Sequence, residues 1–445
     1  MPPWQPWARD SVRDRFRCAA VTVLGLLVTI SASCSNVHHA KSSTARSKSS
    51  TPLVGIEQST TSTTTGPLAI GSTVPGRDAQ SWSFLTVKDG FGIDTETGNQ
   101  GGALESQPLV TDNGGQSWMV TGVPIIGARY VGDLDFIDAK HGYAVGLDEG
   151  FPFFITDNGG ATWHEPPFGH FSADPEQSTG SPFGAKGSSV WVTSVSCTSG
   201  VTPSCHSVME ISEDYGTTWT SEDLPIPPAY DSIGVAAESG QEAYVLANST
   251  VNAPILVHTT DAGRTWNAVS VPSLQCKINF FAPEPSDLWL FCGEGPATNM
   301  TPKALYRSYN GGATWSVASS TGSPDTSPPW VSNGLLPAQV GSITLQGNFP
   351  VSFAAASPNR AWLTFGRGDV EVTSDGGKTW TSAFPYPDID AFSLILDQLS
   401  PSVILAIGFN AGIWSTTDGS TWSQTVTWQG DCDDPNKEQR NLRVR

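Results

Sequence analysis

Three carboxylates and three carboxamides recur at one position of a short repeated phrase in this 445-residue chain, and they raise the question of acid–base chemistry first. The phrase is Ser/Thr, any residue, Asp/Asn, any, Gly, any, Ser/Thr, Trp. Its copies are Thr111–Trp118, Thr156–Trp163, Ser212–Trp219, Thr259–Trp266, Ser308–Trp315, Thr373–Trp380 and Ser415–Trp422. The third slot holds Asn113, Asn158, Asp214, Asp261, Asn310 and Asp375; the last copy has Thr417 there, with Asp418 one place late. An amide exchanges no proton at ordinary pH, so a role common to Asn and Asp is hydrogen bonding to nearby backbone, not catalysis. A carboxylate-pair glycosidase needs two acids about 5–9.5 Å apart. Acids outside the boxes include Asp148, Glu149, Asp174, Glu176, Glu294, Asp325 and Asp369, and nothing in their spacing pairs any two. His141, His164, His170, His206 and His258 lack metal-ligand spacing. There is no phosphate-binding Gly loop and no nucleophile elbow, so neither a metal nor a cofactor is expected.

The boxes themselves read as tight hairpin turns. Gly115, Gly160, Gly216, Gly263, Gly312, Gly377 and Gly419 fill the slot where a sharp reversal needs positive φ. Trp118, Trp163, Trp219, Trp266, Trp315, Trp380 and Trp422 each open the outgoing strand and bury a large ring against a neighbouring unit. Most of the intervals between these tryptophans lie in the forties, with several short strands in each, which is the period of a propeller blade. Paired strands precede each box, as in Phe136-Ile137-Asp138 before Gly142-Tyr143-Ala144-Val145 and Phe353-Ala354-Ala355 before Ala361-Trp362-Leu363. The fold expected is all-β: a single seven-bladed β-propeller of four-stranded antiparallel blades over residues 79–428, with a tail at 429–445. The last unit supplies its own four strands from Phe392 to Trp428, which leaves Leu68–Val74 to pair across the seam. Forty-five Gly, 33 Pro and only 15% charged residues suit turn-rich sheet.

Residues 1–33 read as a signal peptide. Arg9, Arg13, Arg15 and Arg17 precede an apolar stretch from Cys18 to Ile30, then Ser31-Ala32-Ser33 leads to Cys34. That run is shorter than the ~20 residues of a membrane-spanning helix. Small residues before Cys34 match a lipobox except at Ser31, so the chain is either lipidated on Cys34, on the outer face of a bacterial membrane, or simply secreted. Residues 34–78 are a Ser/Thr-rich linker of a composition that cannot form a core. A net charge of −19 repels phosphate backbones and excludes nucleic acid as a partner; the chain is expected to be monomeric. Export permits disulfides. Constant index sums across hairpins predict Cys197–Cys205, about a turn at Val201, and Cys276–Cys292, about a midpoint at residue 284. Cys432 is left over if Cys34 is lipidated and is its possible partner if not.

Seven boxes, with Phe136…His141-Gly142-Tyr143-Ala144-Val145-Gly146 before Thr156-Asp157-Asn158-Gly159-Gly160, resemble the BNR/Asp-box family of sialidases, sortilin-type receptors and xyloglucan hydrolases. Within it the chain looks most like the photosystem II assembly-factor propellers. The resemblance covers residues 80–428 and implies a binding scaffold with the boxes on the edge opposite the ligand face; the photosynthetic role does not transfer with the fold. A sialidase-like reading would need three arginines around a carboxylate. Arg264, Arg307 and Arg360 fall on the box edge, which leaves Arg129 and Arg367. The function expected is therefore a non-catalytic scaffold for a protein or carbohydrate, with a secreted glycoside hydrolase as the alternative. Candidate binding residues are Trp330, Arg129, Tyr130, Asp133, Asp148, Glu149, Asp174, Arg367 and Asp369. Trp330 either stacks on a partner or plugs the channel, and Arg129, Tyr130 and Asp133 either line the channel mouth or merely end a strand.

Overall fold

The computed structural model describes residues 67–427 except 77–78, 80, 95–105, 129, 147–151, 169–181, 198–204, 228–229, 231, 250–251, 273–276, 285, 294–302, 321–349, 366–369, 384–393 and 409–411. Among the described residues no helix is long and apolar enough to cross a membrane.

Each box closes on itself. The Thr111 hydroxyl accepts the Gly115 N–H at 3.0 Å and donates to Asn113 Oδ1 at 2.9 Å, and that oxygen accepts the Ser117 N–H at 3.1 Å. The same three bonds recur in the boxes starting at Thr156, Ser212, Thr259, Ser308 and Thr373. The seventh box corrects the sequence alignment. Thr416, not Ser415, donates to Asp418, and the Gly419 N–H reaches Thr416 across three residues instead of four. One residue is missing between Asp and Gly, so Asp418 occupies the third slot that the longer frame gave to Thr417.

The boxes join strands in a repeating order. Blade 1 holds Ser81–Phe84, Gly90–Asp94, Gln107–Thr111 and Ser117–Val120, each antiparallel to the next. Blades 3 to 7 repeat this four-strand order, starting from inner strands Phe183–Lys186, Ser232–Ala237, Lys277–Glu284, Pro350–Ser357 and Leu394–Gln398. Blade 2 has Val131–Phe136, Gly142–Gly146 and Phe153–Thr156, and its fourth strand is reduced to one bridge between Ile155 and His164. Blade 7 supplies all four of its own strands, ending with Ser423–Thr427.

Seven hydrophobic clusters show that the blades close into a ring, because each cluster joins one pair of neighbouring blades. Phe91 and Ile93 of blade 1 meet Leu134 and Phe136 of blade 2, and Trp362 of blade 6 meets Leu396 and Trp414 of blade 7. Leu405, Ile407 and Ile413 of blade 7 return to Leu109 and Trp118 of blade 1. Every box Trp sits in the cluster shared with the preceding blade: Trp118 against blade 7, Trp380 against blade 5, Trp422 against blade 6. Gly115 has φ +84, and a Cβ there would lie 2.9 Å from Ile413 Cδ1, so both conformation and contact demand glycine.

Two expectations change. Thr73–Pro75, inside the segment read as linker, forms a strand, and it pairs with Ser117–Val120 of blade 1 instead of bridging the seam. Gln107 fixes its approach by accepting the Leu68 N–H at 2.9 Å and donating to the Leu68 carbonyl at 2.7 Å. In blade 5 the register puts Ile278, not Cys276, opposite Cys292, because the hairpin closes at Glu284 and Asp287 with a bulge. Cys276 lies outside the described residues, as do Cys34 and Cys432.

Candidate functional site

The inner strand of blade 2 alternates. Leu134 and Phe136 enter the core shared with blade 1, which puts Asp133 and Asp135 on the other face. Asp135 lies directly across from Tyr143 and Asp133 from Val145. The inner strand of blade 7 does the same: Leu394 and Leu396 are core, and Asp397 lies across from Leu405. Ser83 of blade 1 occupies the equivalent place, across from Phe91.

These three positions form a belt on consecutive inner strands. An inner strand has no neighbour on its axial side, so its N–H groups need side-chain acceptors. Asp397 Oδ2 accepts the Phe84 N–H at 3.0 Å, and Ser83 Oγ accepts the Phe136 N–H at 2.8 Å. Asp135 comes next and accepts no hydrogen bond among the described residues. Burial pushes its carboxyl up to about 7, reinforced by the negative charges of Asp133 and Asp397. Burial pushes Asp397 up to about 6, and the Phe84 N–H partly opposes it. The Tyr143 hydroxyl is buried without a hydrogen-bond partner among the described residues, and burial together with the charge of Asp135 holds it protonated. A carboxyl poised near neutrality beside ionised ones has the proton affinity of a general acid.

The box carboxylates have the opposite character. The Thr218 N–H, then its hydroxyl, holds Asp214 below the usual carboxylate range; the Thr265 hydroxyl and N–H do so for Asp261. For Asp375 burial is the largest single effect and pushes it up, but the Thr379 hydroxyl and N–H, with the Thr373 hydroxyl, together outweigh it and leave it lowered; Asp418 is lowered by the N–H groups of Thr421 and Ser420. All four are committed to turn hydrogen bonds.

Of the candidate binding residues, Tyr130 and Asp133 are described: Tyr130 is half-buried just before the inner strand of blade 2, and Asp133 is on that strand. Trp330, Arg129, Asp148, Glu149, Asp174, Arg367 and Asp369 lie outside the described residues. Asp135 and Asp397 were missed. The alternation in Val-Gly-Asp-Leu-Asp-Phe and Leu-Ile-Leu-Asp-Gln sets each acid on the face opposite its apolar neighbours, but carries no signal that the two strands meet. Arg307 is fully buried, bonded to both oxygens of Asp287 at 2.8 Å and held 3.9 Å from the Trp289 ring and 4.1 Å from the Tyr309 ring. Arg360 donates to the Asp418 carbonyl at 2.6 Å and to Ser420 Oγ at 2.9 Å, in the next blade's box. Both guanidiniums are engaged within the box edge. No group of His, Cys, Asp and Glu among the described residues could hold a metal ion.

No family model matches the chain, and no curated protein does. Solved structures do resemble it. A GH74 xyloglucanase from Xanthomonas campestris aligns at TM-score 0.50 and 14% identity, over 81% of this chain and 55% of that one. A GH74 enzyme from Niastella koreensis aligns at 0.49 and 16%, over 81% and 55%. YCF48 bound to a D1 peptide aligns at 0.45 and 16%, over 77% and 94%. The chain thus spans about half the length of the two GH74 enzymes. At such identities the likeness carries the fold alone: the chain is a seven-bladed β-propeller built on Asp-box hairpins.

Proposed function

We propose that the chain is a non-catalytic extracytoplasmic scaffold, exported through residues 1–33 and tethered at Cys34, that presents propeller-face loops to a protein or glycan partner. The supporting observation is that the box carboxylates Asp214, Asp261, Asp375 and Asp418 are all engaged by turn N–H and hydroxyl groups, as the Asn boxes are. The repeated acid is therefore spent on shape. Purification of the intact chain from its own membrane after mild solubilisation tests this reading. A stoichiometric partner that is lost on Trp330→Ala or Asp133→Ala supports it; a chain that returns alone under every mild condition counts against it.

One observation favours a second reading, a glycoside hydrolase. Asp135 has the proton affinity of a general acid and feels the charges of Asp133 and Asp397, either of which would serve as its base. A panel of chromogenic glycosides decides. Turnover abolished by Asp135→Asn, with a fall in rate as pH rises through about 7, would replace the scaffold with an enzyme.

A further inference from the structure

Among the described residues seven large hydrophobic side chains are more than a third exposed, and four of them fall at one corner of blade 1. Ile126 is 81% exposed, Ile70 64%, Val123 50% and Met119 47%. The backbone brings them together. Met119 lies in the outer strand Ser117–Val120, and Val123 and Ile126 follow it in the chain. The Gly71 N–H donates to the Val120 carbonyl at 2.8 Å, which sets Ile70 beside the end of that strand. Ile126 takes the first corner of a turn closed by the Ala128 N–H on the Ile125 carbonyl, with Gly127 at φ +93 in the second corner. An isoleucine at such a tip buries nothing within the fold, whereas turn corners normally carry Gly, Pro, Asn, Asp or Ser.

The chain that enters this corner is the one expected to bear the lipid. Thirty-two residues, 35 through 66, separate the anchor at Cys34 from Pro67, and Ile70 follows three residues later. A chain of that length spans at most roughly 110 Å, so the anchor holds the corner within that distance of the bilayer and insertion becomes an intramolecular step.

We propose that Ile70, Met119, Val123 and Ile126 seat in the headgroup–acyl boundary of the membrane. This rests on the tethering reading above. A carboxylate stands beside the turn: Glu165 Oε1 would lie 3.8 Å from a Cβ on Gly127. The whole chain carries −19. The contact is therefore driven by apolar burial, and anionic lipid opposes it.

The test is hydrogen exchange on the full chain with and without phosphatidylcholine vesicles, alongside vesicle co-sedimentation. Amides of residues 121–127 should slow on adding vesicles while the Ser400–Val403 turn is unchanged. Ile126→Glu and Val123→Glu should each lower the partition coefficient roughly tenfold with an unchanged Tm. Phosphatidylglycerol in the vesicles should weaken binding, and salt should restore it. No slowing at 121–127, or Ile126→Glu partitioning like wild type, overturns the proposal. So does a concentration-dependent dimer abolished by Ile126→Glu, which would identify a second copy as the occupant. The mass of Cys34 from native membranes reports separately on the tether: an unmodified Cys34 with protected 121–127 removes the anchor and keeps the surface, and the reverse result removes the surface alone.

Discussion

The interchange of Asn and Asp in the boxes follows from the hydroxyl at the seventh position. Asn113 Nδ2 donates to Ser117 Oγ at 2.9 Å, whereas Asp214 Oδ2 accepts from Thr218 Oγ at 2.7 Å. A hydroxyl does either, so the turn closes with both side chains. Asp214→Asn should therefore leave the denaturation midpoint nearly unchanged, while Asp214→Ala, which strands the Thr218 N–H, should cost about 1–2 kcal/mol in chemical unfolding. Asp135 behaves differently. Its carboxyl titrates near 7 in the fold and near 3.8 in the open chain, so between those values the folded state holds a proton that the unfolded state has released. That contribution is complete below about 4 and is lost as pH rises to about 7. Asp135→Asn fixes the neutral form, and its melting curves should match wild type near pH 4 and gain on the order of 4 kcal/mol at pH 8. Equal wild-type and variant melts at pH 8 would show that the carboxyl pays no burial penalty there. Asp133 was legible in the sequence as a strand-end acid. Asp135 and Asp397 were not, because alternation separates two faces of a strand without saying which inner strands share a belt.

At the scale of the hairpin, index sums located one cysteine pair and misplaced the other. Cys197 lies opposite Cys205 as the turn at Val201 predicts, in an unbroken register from Val190↔Ser212 onward. Opposed residues in antiparallel strands have Cα atoms about 4.5–5.5 Å apart, within the span a disulfide needs. Non-reducing peptide mapping of the exported chain should recover Cys197 and Cys205 as one linked peptide. Cys197→Ser should then lower stability by roughly 2.5 kcal/mol, the chain-entropy value for so short a loop; free thiols on both would refute the bridge. In blade 5 the same arithmetic placed the midpoint at residue 284, but the hairpin closes later, at Glu284 and Asp287, and even after the bulge between Phe281 and Glu284 the register sets Ile278 against Cys292. Where within a polar turn the hairpin closes leaves no mark in hydrophobic alternation. The shortened seventh box has the same lesson: Thr416 and Asp418 kept their residue types while the spacing to Gly419 changed, so a fixed-length pattern missed the start and found the end.

At the scale of the whole molecule, blade number and strand order were legible because the box Trp marks every blade and wedges against the one before it. That the last blade supplies its own four strands was legible too; what meets it across the seam was not. Blades 1 and 7 share no strand among the described residues, and their interface depends on Trp118 with Leu405, Ile407 and Ile413, on the Asp397–Phe84 bond, and on nothing local in sequence. Contacts between Phe84 and Asp397 span 313 residues, so they can form only after the intervening blades are in place. Trp118 is 1% exposed and donates from Nε1 to the Gly76 carbonyl at 3.0 Å, which ties the N-terminal strand into the same seam. Trp118→Ala should therefore cost about 3–5 kcal/mol, against about 1–2 kcal/mol for Trp315→Ala, whose ring is only half-buried in the cluster between blades 4 and 5. Kinetics give the sharper contrast. A contact made after the main barrier does not slow folding when it is removed; it speeds unfolding. Stopped-flow denaturant jumps on Trp118→Ala should show a faster unfolding arm with the refolding arm unchanged. A slowed refolding arm instead would mean that the seam forms early and that the ring closes around it.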